Sequence, residues 1–205
     1  MNAARSLKVV GDLSDLPSAA MGARGLVWWG TLGFMLIEGT GFLLAGAAYL
    51  YLRGQASSWP PPGDRAPDLA MGTLFTVVLL FSEIPNRWLV AKAKAHDARA
   101  VRWGMALMVV LGVGLLAIRG LEFARLNVRW DHDAYGSAVW LLMFLHAAHV
   151  LTDLGDTVVL DACLFTHEVT ENQFADANDN CGYWSFVVLS WLPIYALVYW
   201  GPRLL

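Results

Sequence analysis

YGSAVWLLMFLHAAHVLTDLGDTVVLDA, residues 135–162, decides the fold. An α-helix needs about 20 mostly apolar residues to cross a bilayer, and this stretch is longer than that. Yet it carries His146, His149, Asp153 and Asp156. At about 100° per residue these four fall within an arc of roughly 80°. They form one polar stripe on an otherwise lipid-soluble helix. Such a stripe must face other helices or a wet cavity, because acyl chains solvate neither carboxylates nor imidazoles.

Four more segments are long and apolar enough to span: 26–52, 69–92, 102–123 and 182–201. The expectation is an all-α polytopic membrane protein, a bundle of five transmembrane helices. Backbone groups in lipid have to be bonded within their own segment, and no β-barrel alternation is present. Composition agrees. The chain of 205 residues is 57% hydrophobic and only 15% charged, where a soluble domain is nearer one quarter charged. Mean hydropathy is +0.49. Net charge of −3 gives no footprint for nucleic acid. Ten Trp and six Tyr suit two membrane interfaces.

The division expected is a polar N-terminal arm, 1–25, followed by one five-helix domain, 26–205. The arm has neither a compact apolar core nor a clear cleavage site, so it does not read as a signal peptide. Pro85 removes a backbone donor and should kink the second helix. Residues 163–181 read as a polar loop. Its flanking Cys163 and Cys181 read as ordinary thiols. Within it DANDN, 176–180, lacks the Gly and Glu of a calcium loop, since Cys181 and Val187 occupy those positions. His132 and His167 lie near span ends and take no role. Small residues (Gly30, Gly33, Gly41, Ala45, Gly112, Gly114) either let helices approach closely or are simply common in membrane helices.

An odd number of spans puts the termini on opposite sides. Arg5, Lys8, Arg24, Arg87, Lys92, Lys94, Arg99 and Arg102 fall on the N-terminal side. Arg53, Arg65, Arg119, Arg125, Arg129 and Arg203 fall on the other. This bias favours a cytoplasmic N-terminus.

Partners for the stripe are available on the other helices: Glu38, Glu83, Arg119 and Glu122. Arg119 and Glu122 are three apart and can pair on one face. Three readings follow from the residues: a hydrogen-bonded network that joins helices, a proton or water route, or a metal site. The metal ligands would be drawn from Glu38, Glu122, His146, His149 and Asp153, with Glu83 and Asp156 in reach. The Glu-x-x-His pairs of ferritin-like bundles are absent.

The motifs also carry a resemblance. YGSAVWLLMFLHAAHV, 135–150, resembles the hallmark of cytochrome c oxidase subunit III: Tyr-Gly-Ser, eight residues, then His-x-x-His-Val. LGVGLLAIRGLEF, 111–123, looks like that family's preceding helix, with Glu122 on its Glu. FMLIEGTGFLLAGAAYLYLR, 34–53, is similar to its helix with a membrane-embedded Glu, here Glu38. YWSFVVLSWLPIYALVYW, 183–200, looks like its C-terminal helix. The resemblance covers roughly 26–201.

It implies a five-helix form of a subunit without redox centres of its own. Such a subunit packs beside the catalytic haem–copper subunits, which hold the haem and copper, and it holds phospholipid in a cleft. It supports assembly and proton uptake in aerobic respiration, and a bacterial inner membrane would suit it. Glu38, Glu122, His146 and His149 are the residues carried over. There are departures. Ser185 and Val188 stand where the family has His and Asp, Asp153 where it has Gly, and Arg119 where it has Gln. Asp156 and the Ser82–Pro85 turn are unusual as well. These leave open a homologue associated with nitric-oxide reductase, or a stand-alone metalloenzyme with a dinuclear His/carboxylate site on the same scaffold.

Overall fold

The computed structural model describes residues 26–204. The expected arm, 1–25, lies outside them. Five long helices carry the fold: α1 (Leu26–Gln55), α2 (Leu69–Lys94), α3 (Ala98–Ala124), α4 (Ala134–Thr166) and α5 (Glu171–Tyr195). The chain then makes a π-helical turn, Ala196–Trp200, and a last α-helical turn, α6 (Gly201–Leu204). All five long helices are apolar enough to cross a membrane, and no strand occurs among the described residues.

Aspartates start three of the helices. Asp68, Asp97 and Asp133 each accept a backbone N–H of the first turn, from Ala70, Ala100 and Gly136. Such caps satisfy donors that have no partner within the helix, and their charge complements the helix dipole. At the far end of α4, Arg102 of α3 donates to the carbonyls of Leu164 and His167.

The helices extend beyond the expected spans by a few residues, except at α5. Residues 171–181, expected in a loop, are helical. Gln173 Oε1 accepts the Thr170 N–H at 2.9 Å, half of a capping box in the sequence Thr-Glu-Asn-Gln. DANDN is therefore helical. Cys163 and Cys181 are free thiols. The α2 helix runs through Pro85 unbroken.

The α4 helix sits centrally, packed against α1, α3 and α5, while α2 packs on α3 and α5. The peripheral helix is α1, whose Leu36, Ile37, Leu43 and Leu44 are exposed. Of the small residues singled out, Gly112 does allow a close approach: a Cβ there would lie 2.8 Å from Leu154. Among the described residues nothing lies within 4 Å of a Cβ at Gly30, Gly33, Gly41 or Gly114. Gly72 is the tighter case, since its Cβ would press on the Tyr199 ring, 2.3 Å from Cζ.

Candidate functional site

The polar side chains form layers along α4. In the first, Arg119 is 2% exposed and lies between two rings, with Cζ 3.6 Å from the Phe75 centroid and 4.1 Å from that of Trp191. Its Nη1 donates to Glu122 Oε2 at 2.7 Å, and its Nη2 donates to His146 Nδ1 at 3.2 Å. The Tyr199 hydroxyl donates to the other Glu122 oxygen. Because a guanidinium only donates, His146 Nδ1 must accept, so the ring proton sits on Nε2. From there it donates to the Val187 carbonyl at 3.0 Å. His146 is thus a neutral imidazole of fixed tautomer with both nitrogens used. The positive and negative charges cancel, and two aromatic faces stabilise the cation.

One turn on, His149 Nε2 lies 3.0 Å from Glu38 Oε1. The Tyr183 hydroxyl donates to Glu38 Oε2 at 2.6 Å. His149 Nδ1 bonds the Leu145 carbonyl, and that carbonyl only accepts, so Nδ1 carries a proton. A single further proton then lies between Glu38 and His149. It is held either as carboxyl and imidazole or as carboxylate and imidazolium, with no change in net charge.

The next two stripe residues have different surroundings. Asp153 is fully buried, and among the described residues neither of its carboxylate oxygens has a hydrogen-bond partner. Asp156 is exposed and lines the same cavity as Asp153. Glu83 stands apart from all of these, in a seam between α2 and α5. It accepts from Ser185 at 2.8 Å and Asn86 at 3.1 Å, and pairs with Arg87 at 3.2 Å. Asn86 also donates to the Cys181 carbonyl at 3.0 Å. The same seam holds Trp184 to Ser82 at 3.0 Å and Trp191 to Thr76 at 2.7 Å.

So the predicted residues divide into Arg119–Glu122–His146, Glu38–His149, the Asp153–Asp156 cavity, and Glu83. Sequence reasoning missed Tyr183, Tyr199, Trp191, Asn86 and Ser185. A signal existed: Tyr183 and Trp184, like Tyr199 and Trp200, are amphipathic pairs near the ends of the apolar run.

The fit to a metal is poor. His146 has no lone pair left, and a guanidinium sits beside it, where it would repel a cation. Among the described residues, the trio of potential ligands gathered within 4.8 Å is Asp64, His132 and Asp133, a group the sequence did not flag. It joins the α1–α2 loop to the α4 N-cap, outside the spans. There the Asp133 carboxylate, bonded to Asp64, pushes the Asp64 carboxyl above its ordinary range, helped by partial desolvation. For Asp133 itself, burial pushes up, but hydrogen bonds from Asp64, the Gly136 N–H and His132 outweigh it and hold the carboxyl below that range.

Beside α1 runs an apolar cleft of about 760 Å³ between α1, α4 and α5, lined by Leu36, Gly39, Leu43, Phe186, Pro193 and Leu197 among others.

The class these features define is an integral membrane five-helix bundle with hydrogen-bonded polar clusters in its interior and an exposed apolar first helix. Residues 42–202 match the family model described as cytochrome c oxidase subunit III. The chain belongs to the cytochrome c oxidase subunit III family. Glu38 precedes the matched range. Cytochrome c oxidase subunit 3 of Cyprinus carpio is 28% identical over 147 residues, 69% of this chain and 55% of that protein. The proteins of the same name from Corynebacterium diphtheriae and Thermostichus vulcanus are similar over more of their length. They are 26% identical over 189 residues (88% of this chain, 91% of that protein) and 24% over 176 residues (83% and 85%). The chain spans about half the length of the fish relative.

Proposed function

We propose that this chain is the subunit III-like accessory component of a haem–copper terminal oxidase in aerobic respiration. The observation that carries the reading is the pairing of family membership with two stripe histidines that are already engaged. His146 is saturated by Arg119 and Val187, and His149 is tied to Glu38 and its own helix, so neither offers an open position for redox chemistry. Haem and copper belong to the partner subunits. The exposed apolar face of α1 serves as a surface for those subunits or for lipid, and the cleft beside it takes a phospholipid acyl chain. The stand-alone metalloenzyme is not favoured, because both of its histidines are already engaged and a guanidinium sits beside His146.

In mechanism, the chain's residues position and hold protons. Glu38 and His149 share one proton under the Tyr183 hydroxyl, a unit that passes a proton on without adding net charge to the bilayer interior. Arg119 and Glu122 fix α3 against α4 and α5 and hold the His146 tautomer. The basic residues of the N-terminal side support a cytoplasmic N-terminus in a bacterial inner membrane. The test is a gentle purification of the tagged chain from its native membrane, read by haem spectra, subunit composition and elemental analysis. The expected result is co-purification with a haem-bearing subunit. Stoichiometric iron or copper retained by the isolated chain, and lost in H146A/H149A, would overturn it.

A further inference from the structure

Outside the spans, one imidazole and two carboxylates converge. His132 Nδ1 lies 3.3 Å from Asp133 Oδ2 and 3.8 Å from Asp64 Oδ2. One ligand atom from each residue lies within 4.8 Å of the other two. The side chains are 65% exposed for His132, 26% for Asp64 and 20% for Asp133, so an ion reaches them without opening the bundle. Two segments distant in the chain meet here, and buried contacts hold each of them. Trp59 packs edge-on against Tyr49 and Tyr135, with centroids 5.2 and 5.0 Å away, and its indole N–H donates to the Tyr49 hydroxyl at 2.8 Å. Beyond Asp64 in the same loop, the Pro67 carbonyl accepts from Arg203 at 2.7 Å. Ahead of His132, Trp140 donates to the Val128 carbonyl and Ser137 to that of Trp130, both at 2.7 Å. Asp133 Oδ1 accepts the Gly136 N–H at 2.7 Å, which orients the carboxylate and leaves Oδ2 facing His132. Arg129 pairs with Asp131 at 2.8 Å rather than with either carboxylate of the trio.

We propose that Asp64, His132 and Asp133 form a binding site for a divalent cation of the Zn²⁺ class, which clips the α1–α2 loop to the start of α4. Zinc binds histidine nitrogen and carboxylate oxygen at about 2.0–2.2 Å, most often in a tetrahedron. The edge of a tetrahedron is about 1.63 times the distance from centre to corner, so the ligand atoms belong roughly 3.3–3.6 Å apart. The distances from His132 Nδ1, 3.3 and 3.8 Å, need only a small adjustment to meet that. The imidazole sets the class of ion. Magnesium and calcium take oxygen ligands, whereas a nitrogen among carboxylates suits zinc. Three protein ligands leave a fourth position for water. The ion also separates two carboxylates that otherwise repel unless a proton lies between them.

The site lies apart from His146 and His149 and does not depend on the accessory-subunit reading. The full-length, tag-free chain in detergent is stripped with chelator and titrated with Co²⁺, whose visible absorption is strong in a tetrahedral site and weak in an octahedral one. The expected result is one saturable equivalent with strong absorption, displaced by Zn²⁺ and not by Mg²⁺. H132A and D64N should each weaken it at least tenfold while keeping the wild-type circular dichroism. D133N should weaken it as well, with the helix cap kept by the Asn side chain. Zn²⁺ should raise the melting temperature of wild type and not that of H132A. H96A and H167A, which change the other exposed histidines, should bind as wild type does. No saturable binding, displacement by Mg²⁺ as readily as by Zn²⁺, binding unchanged in both H132A and D64N, or binding lost in H96A or in H146A/H149A would each overturn the assignment.

Discussion

Replacing Glu122 by leucine while leaving Arg119 in place should be among the most damaging single changes in this bundle. Both residues are 2% exposed, and their atoms approach to 2.7 Å. At an effective dielectric of about 20, that separation corresponds to an attraction of about 6 kcal/mol. Much of it offsets desolvation, and the measured cost of removing one partner of a buried pair is about 3–5 kcal/mol. The two partners are not equivalent. A guanidinium cannot shed its proton, so E122L strands a permanent charge and also orphans the Tyr199 hydroxyl. R119M leaves a carboxyl that can become neutral and still accept from Tyr199, a loss of about 1–3 kcal/mol. The double variant R119M/E122L should lie closer to wild type than E122L. For a chain of this size 3–5 kcal/mol corresponds to roughly 6–20 °C in melting temperature. Thermal unfolding in detergent, followed by circular dichroism, measures all four proteins. Equal losses from E122L and R119M, or a double variant that sums the singles, would refute the stranded-charge reasoning.

Other outcomes follow from the same geometry. D133A should cost about 1 kcal/mol by uncapping α4, whereas D133N should cost less, because Asn caps as well as Asp; melting temperatures of the two decide. Asp64, held above its ordinary range, binds its proton more tightly when folded. Its contribution is full below the unfolded value and is lost as pH rises through the raised one. Asp133, held low, contributes above its unfolded value and is lost as pH falls through the folded one. D64N should therefore match wild type near pH 4 and exceed it at neutral pH, as read from melts across that range. G72A should cost about 1–3 kcal/mol by overpacking against the ring carbons of Tyr199, as read from its melting temperature. A W191F melt should show a loss of more than about 1 kcal/mol, because the hydrogen bond to Thr76, buried ring volume and part of the aromatic face on Arg119 go together.

The spans were legible because an apolar run of bilayer length has one stable backbone form. The stripe on α4 was legible because helical periodicity alone puts 146, 149, 153 and 156 on one side. Which partner each residue meets was not, since that depends on rotation and depth of the other helices. Arg119 chose Glu122 and His146, whereas Glu38 chose His149 and Tyr183. The early start of α5 was hidden by its composition. Residues 171–181 are too polar for a span, although Thr170 and Gln173 gave a capping signature. The gain of Glu83 made sense only once α5 put Ser185 opposite it, at the position where the family pattern carries His. The Asp64–His132–Asp133 trio joins two loops distant in the chain, and no local spacing announces it.

The central claim is that this chain tunes a partner's chemistry through protonatable contacts and does none itself. It is tested most directly by turnover of the assembled oxidase carrying E38Q or H149A, with oxygen consumption and haem content measured on the same sample. The account predicts wild-type haem, with slower proton uptake or fewer turnovers before inactivation. Unaltered uptake and durability in both variants would contradict it, as would oxygen reduction by this chain purified free of every other subunit.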